Sequence, residues 1–345
     1  MKPRQFKSTL AVLFANRMSV LTAGSPGIGK TSIIKQIAFS QGMDVIFLHP
    51  QYADHGEVAG VTWVWVSPDG QEMKADRVPL ANMAPLFEAT KPTLVIIDDL
   101  GHCMQSIQNS FMQLIEERRI GLRQVSDHVV FAASTNRKED NAGAKTITST
   151  MSNRFYTSIT LDPSMPDLVE HAQCEGWEET MAPFINFCHS KDDPLFQPPT
   201  RDGSPFCTPR SLDKLQQMES AFSIEGSECP YEVVLGTVGQ AMGDKYVAFR
   251  KIKKEIAHLP ELAYSDPHGC EVPERPDLQY AMAGAVAMRA TMATADAFFT
   301  YMARFPNEME VVAVMDATRR DNTLKNTTPY RNWVVANQKW ILEDD

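Results

Sequence analysis

No run in the sequence reaches the eighteen or so apolar residues that a bilayer-spanning helix needs, which excludes that class. Six cysteines are present, Cys103, Cys174, Cys188, Cys207, Cys229 and Cys270, and no two stand closer than fourteen residues. Without a CxxC pair there is neither a zinc knuckle nor a dense disulfide scaffold. Free thiols in a reducing cytoplasm are the economical reading. Positive charge is in deficit: 33 Lys and Arg stand against 43 Asp and Glu, a net charge of −10 over 345 residues. A chain this acidic repels phosphate backbones, so broad coating of duplex nucleic acid is excluded, although a local basic patch is not. There is no internal repeat and no long low-complexity tract. The opening MKPRQFKSTLAVLFANRM breaks its apolar stretch at Asn16 and Arg17, and no small-residue cleavage site follows. It reads as a short helix rather than a signal peptide. What is present is a 43% apolar share, ample for a core and incompatible with wholesale disorder. The length suits about two domains.

The first half alternates apolar runs with helical patterns, the rhythm of a parallel α/β sheet. Five runs read as buried strands: 19–23, 44–49, 93–98, 128–134 and 155–161. Between them, Ile33, Ile34, Ile37 and Ala38 share one helical face, as do Met104, Ile107, Phe111 and Leu114 or Ile115. Two segments look inserted. Residues 61–76 read as a β-hairpin around Ser67-Pro68-Asp69-Gly70, and residues 118–127 as a shorter one. After the fifth strand the pattern turns helical, with helices expected at 210–222 and 231–258 and loops at 190–209 and 265–277. A Met- and Ala-rich stretch, 282–305, reads as core packing, with a partner-docking face as the sharper alternative.

The chemistry concentrates at Gly24-Ser25-Pro26-Gly27-Ile28-Gly29-Lys30-Thr31, which fits GxxxxGK[ST] between an apolar strand and an amphipathic helix. Such glycines let backbone N–H groups turn inward around phosphates, aided by the positive N-terminal end of the helix that runs on through Ser32. Lys30 can reach β- and γ-phosphates, and the Thr31 hydroxyl can bind Mg²⁺. The third strand ends in Asp98-Asp99. Asp98 is placed to hold Mg²⁺ through water, and Asp99 to polarise an attacking water.

In this order the elements resemble the AAA+ ATPase superfamily. Ser134-Thr135-Asn136 resembles its sensor 1, Ser152-Asn153-Arg154-Phe155 its arginine-finger element, and Thr208-Pro209-Arg210-Ser211 its sensor 2. The finer likeness is to the MoxR branch. It rests on Asp99-Leu100-Gly101 before a helix ending LIEERRIG (114–121), on the two hairpins, and on NRKEDNAG (136–143). The resemblance implies an α/β P-loop NTPase fold with a five-stranded parallel sheet, a helical lid and a helical C-terminal extension. The expected divisions are 1–165, 166–264 and 265–345. It also implies ATP and Mg²⁺ as ligands, with Lys30, Asp99, Asn136, Arg154 and Arg210 as catalytic residues. The assembly implied is a hexameric ring, closed or spiral, in which Arg154 enters a neighbour's site. The function implied is ATP-driven, chaperone-like remodelling of a protein substrate, with a partner bearing a von Willebrand factor A domain. One departure stands out. The family pairs Asp with Glu where this sequence has Asp98-Asp99, one methylene shorter, so either slow hydrolysis or a need for a tightened subunit interface is expected.

Two other functions are compatible with a P-loop. One is a nucleic-acid motor or loader, against which the acidic balance and the lack of a nucleic-acid module argue. The other is a nucleotide-gated scaffold with little hydrolysis, motivated by Asp99. ATP rather than GTP follows from the resemblance and from the absence of an N/T-K-x-D guanine motif. Trp63, Trp65 and Val61 share one hairpin face, expected to pack the hairpin on the core, with a partner-facing patch as the alternative. His55 and Glu57 are too few for a metal site and read as loop polar residues. Glu116 and Glu117 are expected to face a neighbouring subunit or solvent. His102-Cys103 reads as a helix-start histidine beside a buried small cysteine.

Overall fold

The structure, a computed structural model, describes residues 1–69, 72–140, 147–177, 181–190, 195–200 and 202–337. The chain divides into two compact units, Met1–Ser164 and Met165–Asp345.

The first unit opens with α1 (Pro3–Ala15), whose Phe6, Leu10 and Phe14 recur every fourth residue and are buried. Then follow β1 (Val20–Ala23), α2 (Lys30–Ser40), β2 (Asp44–Leu48), α3 (His55–Ala59), β3 (Val61–Val66), β4 (Met73–Val78), α4 (Ala84–Glu88) and β5 (Thr93–Ile97). The unit continues with α5 (Gln105–Glu117), β6 (Arg119–Ile120), β7 (Arg123–Gln124), β8 (Val129–Thr135), α6 (Ser149–Ser152) and β9 (Thr157–Thr160). Five strands form one sheet in the order β2-β5-β8-β1-β9. Every neighbouring pair is parallel, and Val20 lies between Ala132 and Thr157. These are the five expected strands, within two residues at each end, and this is the P-loop AAA+ fold.

Every residue of β5 and β8 is buried, as unbroken apolar runs in a parallel sheet require. Strand alternation divides them between two cores. Leu94, Ile96, Val130 and Ala132 face Ile33, Ile34 and Ala38 of α2. Val95, Ile97, Phe131 and Ala133 face Ile107, Phe111 and Leu114 of α5.

The strands β3 and β4 pair as an antiparallel ribbon. Packing of its tryptophans on the core does not occur. All six residues of β3 are exposed, Trp63 at 65% and Trp65 at 40%. Alternation does put Val61, Trp63 and Trp65 on one face, but no core lies under either face of this ribbon among the described residues. Gly70 of its turn lies outside them. The second hairpin is reduced to β6 and β7, two residues each. Its Leu122 N–H reaches the Asp76 carboxylate at 3.4 Å, tying it to the first hairpin.

The second unit is helical: α7 (Met165–Cys174), α8 (Met181–Ser190), α9 (Pro209–Ile224), α10 (Tyr231–Val238) and α11 (Gln240–Glu255). It continues with α12 (Leu259–Ser265), α13 (Pro276–Ala287), α14 (Ala295–Met302), α15 (Asn307–Arg320) and α16 (Thr328–Ala336). One hydrophobic cluster runs from Leu168 to Trp333, so the expected lid and the expected extension share a core. The helix expected over 231–258 is two helices. Gly239 breaks it with φ +83°, and a Cβ there would stand 2.4 Å from the Pro205 carbonyl oxygen. The Met- and Ala-rich stretch packs as expected, with Met282, Phe298 and Met302 fully buried in α13 and α14. All six cysteines are free thiols. Burial pushes the Cys207 thiol up to about 12, so it is a packing group and not a nucleophile.

Candidate nucleotide site

The strand order places the site. β1 lies between β8 and β9, while the next strand in sequence, β2, lies at the far edge. A parallel sheet offers its ligand crevice at the carboxyl ends of strands where the order reverses. The carboxyl end of β1 carries Gly24 to Gly29, and α2 begins at Lys30. Gly29 adopts φ +96°, a conformation open to glycine and strained for other residues. A Cβ on Gly24 would meet the Leu161 carbonyl oxygen at 2.8 Å, so this position admits no side chain. Pro26 and Ile28 lie between these turns, and Ile28 is buried against the α2 side of the sheet.

Lys30 is 6% exposed. Its Nζ donates to the carbonyls of Gly24 at 2.8 Å and Ser25 at 2.9 Å, and to Asn136 Oδ1 at 2.8 Å. A buried ammonium is costly unless its donors are met, and here backbone and side-chain oxygens meet them. The Thr31 hydroxyl donates to Asp98 Oδ1 at 2.7 Å. Ser134 Oγ donates to the same Asp98 oxygen and accepts the Asp99 N–H at 3.2 Å. Four segments separated by up to 106 residues thus meet within hydrogen-bond distance. Ser32 follows on α2 and is exposed.

Asp99 has φ +55°, a left-handed conformation that few non-glycine residues adopt. Aspartate tolerates it better than most, and such strain clusters at functional sites. Its carboxylate lies 3.4 Å from Gln51 Nε2 and 3.9 Å from His102 Nδ1. His102 therefore sits on a short turn before α5 and not at that helix's start, while Cys103 is buried as expected. His55 and Glu57 lie on a helix rather than a loop. His55 Nδ1 meets Ser110 Oγ at 2.8 Å, and Glu57 forms a reciprocal capping box with Asp54.

Two groups beside the loop, Arg137 and Asp140, carry no site role in the sequence reading. Arg137 donates to Ser25 Oγ at 2.5 Å and, through Nε, to Asp140 Oδ2 at 3.1 Å. Ser25 Oγ in turn donates to Asp140 Oδ1 at 3.0 Å. The hydrogen bond to Asp140, outweighing partial burial, holds the Arg137 guanidinium above its ordinary value, so the loop carries a second permanent cation. Its place directly after Asn136 is the only sequence clue. Residues 141–143 of the 136–143 segment lie outside the described residues.

Arg154 is not at this end of the sheet. It precedes β9, and its near neighbour Tyr156 bonds through N–H to the Ser19 carbonyl, just before β1. It therefore stands at the amino ends of the strands, a strand's length from the loop. There Nη1 lies 2.5 Å from Glu116 Oε1, while Nε is buried with no hydrogen-bond partner among the described residues. Glu116 thus faces Arg154 of its own chain, while the neighbouring Glu117 pairs with Arg119 at 2.9 Å. Arg210 belongs to the second unit. It is exposed in the first turn of α9, which Thr208 and Ser211 cap reciprocally.

Thr31 and Asp98 supply two oxygens. That suits a cation such as Mg²⁺, which keeps waters and takes further oxygens from phosphate. Among the described residues no group of three or more His, Cys, Asp or Glu side chains is placed to hold a metal by itself. No described helix is long and apolar enough to cross a membrane.

Fold and site together define a P-loop nucleotide-binding domain. Residues 20–162 match the family described as ATPases associated with various cellular activities (AAA). No curated protein sequence matches the chain. Among solved structures it is similar to the RuvB Holliday junction branch migration motor of Thermotoga maritima. That match has 16% identity and a TM-score of 0.41, covering 85% of this chain and 89% of the other. A mutant form of the same motor matches at 15% identity and a TM-score of 0.42, covering 84% and 89%.

Proposed function

We propose that the protein is an ATP-hydrolysing AAA+ motor of the MoxR type. The observation that carries this reading is the bonding of Lys30 to Asn136 while Thr31 holds Asp98. Loop, strand end and sensor side chain already form one arrangement. In the nucleotide-bound state Lys30 exchanges the Gly24 and Ser25 carbonyls for phosphate oxygens. Thr31 and Asp98 would hold Mg²⁺, Asn136 positions the water, and Asp99 takes its proton. Magnesium neutralises charge on the phosphates when bound. Arg154, unable to serve its own site from the opposite sheet end, completes a neighbour's site in a hexameric ring. Arg210 acts from the lid.

The protein works in the cytoplasm, where its task is chaperone-like remodelling of a bound protein, with a von Willebrand factor A domain protein as partner. The exposed apolar ribbon supports a protein substrate, because such surface is ordinarily covered in use. The test is ATP hydrolysis per subunit against protein concentration, with Lys30→Ala as the blank. A rate that climbs and saturates is expected. A measurable rate flat down to concentrations where the chain sediments as a monomer would remove the shared-site reading.

A second reading, a nucleotide-gated scaffold, draws on Asp99, whose short carboxylate lies near Gln51 and His102. ATP-dependent assembly with no turnover above the blank would favour it.

A further inference from the structure

The second unit holds a cavity of about 400 Å³, within the range of small-molecule sites. Packed interiors leave few spaces larger than a water molecule, so a space of this size in a helical unit calls for an occupant. No residue of the nucleotide site lines it. Its floor is apolar: Phe249, Ile256 and Ala281 are all 2% exposed or less, and Pro260 is buried beside them. Its rim carries Arg250, Lys253, Lys254 and Arg289 against two lining carboxylates, Glu219 and Glu228. A third carboxylate, Glu261, stands outside the lining and reaches Arg289 at 3.7 Å. Four cations against these three acids leave a local surplus of one positive charge, in a chain whose net charge is −10.

The rim has a fixed part and an exchangeable part. Arg250 Nη1 lies 3.0 Å from Glu219 Oε1 and also donates to the Cys229 carbonyl at 3.0 Å, with both charged side chains largely buried. That cation is held in place whatever the cavity contains. The outer pairs differ. Lys254 pairs with Glu228, and Arg289 with Glu261, all four side chains being solvent-exposed. Exposed pairs of this kind add little stability, so an incoming anion can displace them at small cost.

Floor and rim make separate demands on a ligand. A small polar anion would leave the apolar floor uncovered. A neutral apolar molecule would bury rim charge without answering it, which is costly. An apolar cation would meet the surplus positive charge. A single carboxylate on an apolar body satisfies floor and rim together, and its one charge matches the surplus of one. The volume suits a small molecule rather than a folded partner. We propose that this cavity binds a small amphipathic carboxylate, with its apolar body on the floor and its carboxylate at Lys254 and Arg289. The inference is independent of the nucleotide site.

The test uses the full chain without nucleotide, titrated calorimetrically with octanoate, octanol and octylammonium. Octanoate is expected to bind one to one, about tenfold tighter than either of the others, the scale of a charge-assisted contact. Ala285→Trp, at a half-buried lining position, should block the cavity and weaken octanoate about tenfold. If that substitution lowers the thermal midpoint, Ala285→Leu replaces it. Lys254→Gln with Arg289→Gln should weaken octanoate about tenfold and leave octanol unchanged, a split that a general packing defect would not produce. No saturable binding of octanoate would overturn the proposal, as would octanol binding equally well or octanoate ignoring the rim substitutions. Displacement of octanoate by inorganic phosphate alone would make the rim a phosphate site and overturn the amphipathic assignment.

Discussion

The two ends of the five-stranded sheet make different use of charge. At the carboxyl ends of the strands, Lys30, Thr31, Asp98, Ser134 and Asn136 are tied together by hydrogen bonds, with the Gly24 carbonyl as a further acceptor for Lys30. At the amino ends, Arg154 has one carboxylate partner and a buried Nε with none among the described residues. An unmet buried donor costs on the order of 1–3 kcal/mol. The first end is one connected hydrogen-bonded cluster within the chain. The second leaves one buried donor unmet among the described residues, the contrast on which the proposed in-trans role of Arg154 draws.

The largest effect expected from breaking this contrast comes from the amino-end arginine. Arg154→Ala should lower saturated ATP turnover about a thousandfold, the scale of an in-trans arginine, while nucleotide binding measured by fluorescence stays within about twofold. Loss of binding would mean that Arg154 supports the fold and not a neighbour's reaction. At the carboxyl end, Asp99→Asn should cost about a hundredfold in turnover, as removal of a general base does. Unchanged turnover would take the base role from Asp99 and strengthen the scaffold reading.

Ser134→Ala probes the link between the two aspartates. It removes the donor to Asp98 and the acceptor of the Asp99 N–H, a loss of about 1–3 kcal/mol. A tenfold weaker apparent magnesium affinity is the outcome to look for, read from the metal dependence of turnover. No change would show that Thr31 alone orients Asp98. The smallest effect belongs to Glu116→Gln. A half-exposed pair is worth up to about 1 kcal/mol, so freeing Arg154 should lower the concentration of half-maximal turnover two- to fivefold. A shift in the opposite direction would make Glu116 part of the assembled interface.

Much of the first unit is legible in the sequence. β5 and β8 announce themselves because a strand buried on both faces must be apolar throughout. The loop from Gly24 to Thr31 is legible because glycine, lysine and threonine are needed at fixed spacing for one chemical purpose. The misreadings have a shared cause. Trp63 and Trp65 look like core residues from composition, but burial depends on whether another layer lies over them. The break at Gly239 is hidden because a lone glycine is tolerated within a helix, and the deciding contact with Pro205 comes from 34 residues earlier. The Arg137, Ser25 and Asp140 cluster is hidden for the same reason, since 112 residues separate the first two.

The sequence by itself determined the five strands, the phosphate-type loop and the acidic strand end, because each rests on local spacing and polarity. Only the tertiary structure decided which polar groups meet. The parallel order β2-β5-β8-β1-β9 sets Asn136 on Lys30 and Asp98 on Thr31, and it carries Arg154 to the opposite end of the sheet. Hydrogen bonds act over about 3 Å, so strand order, which no local pattern encodes, has the last word on the site.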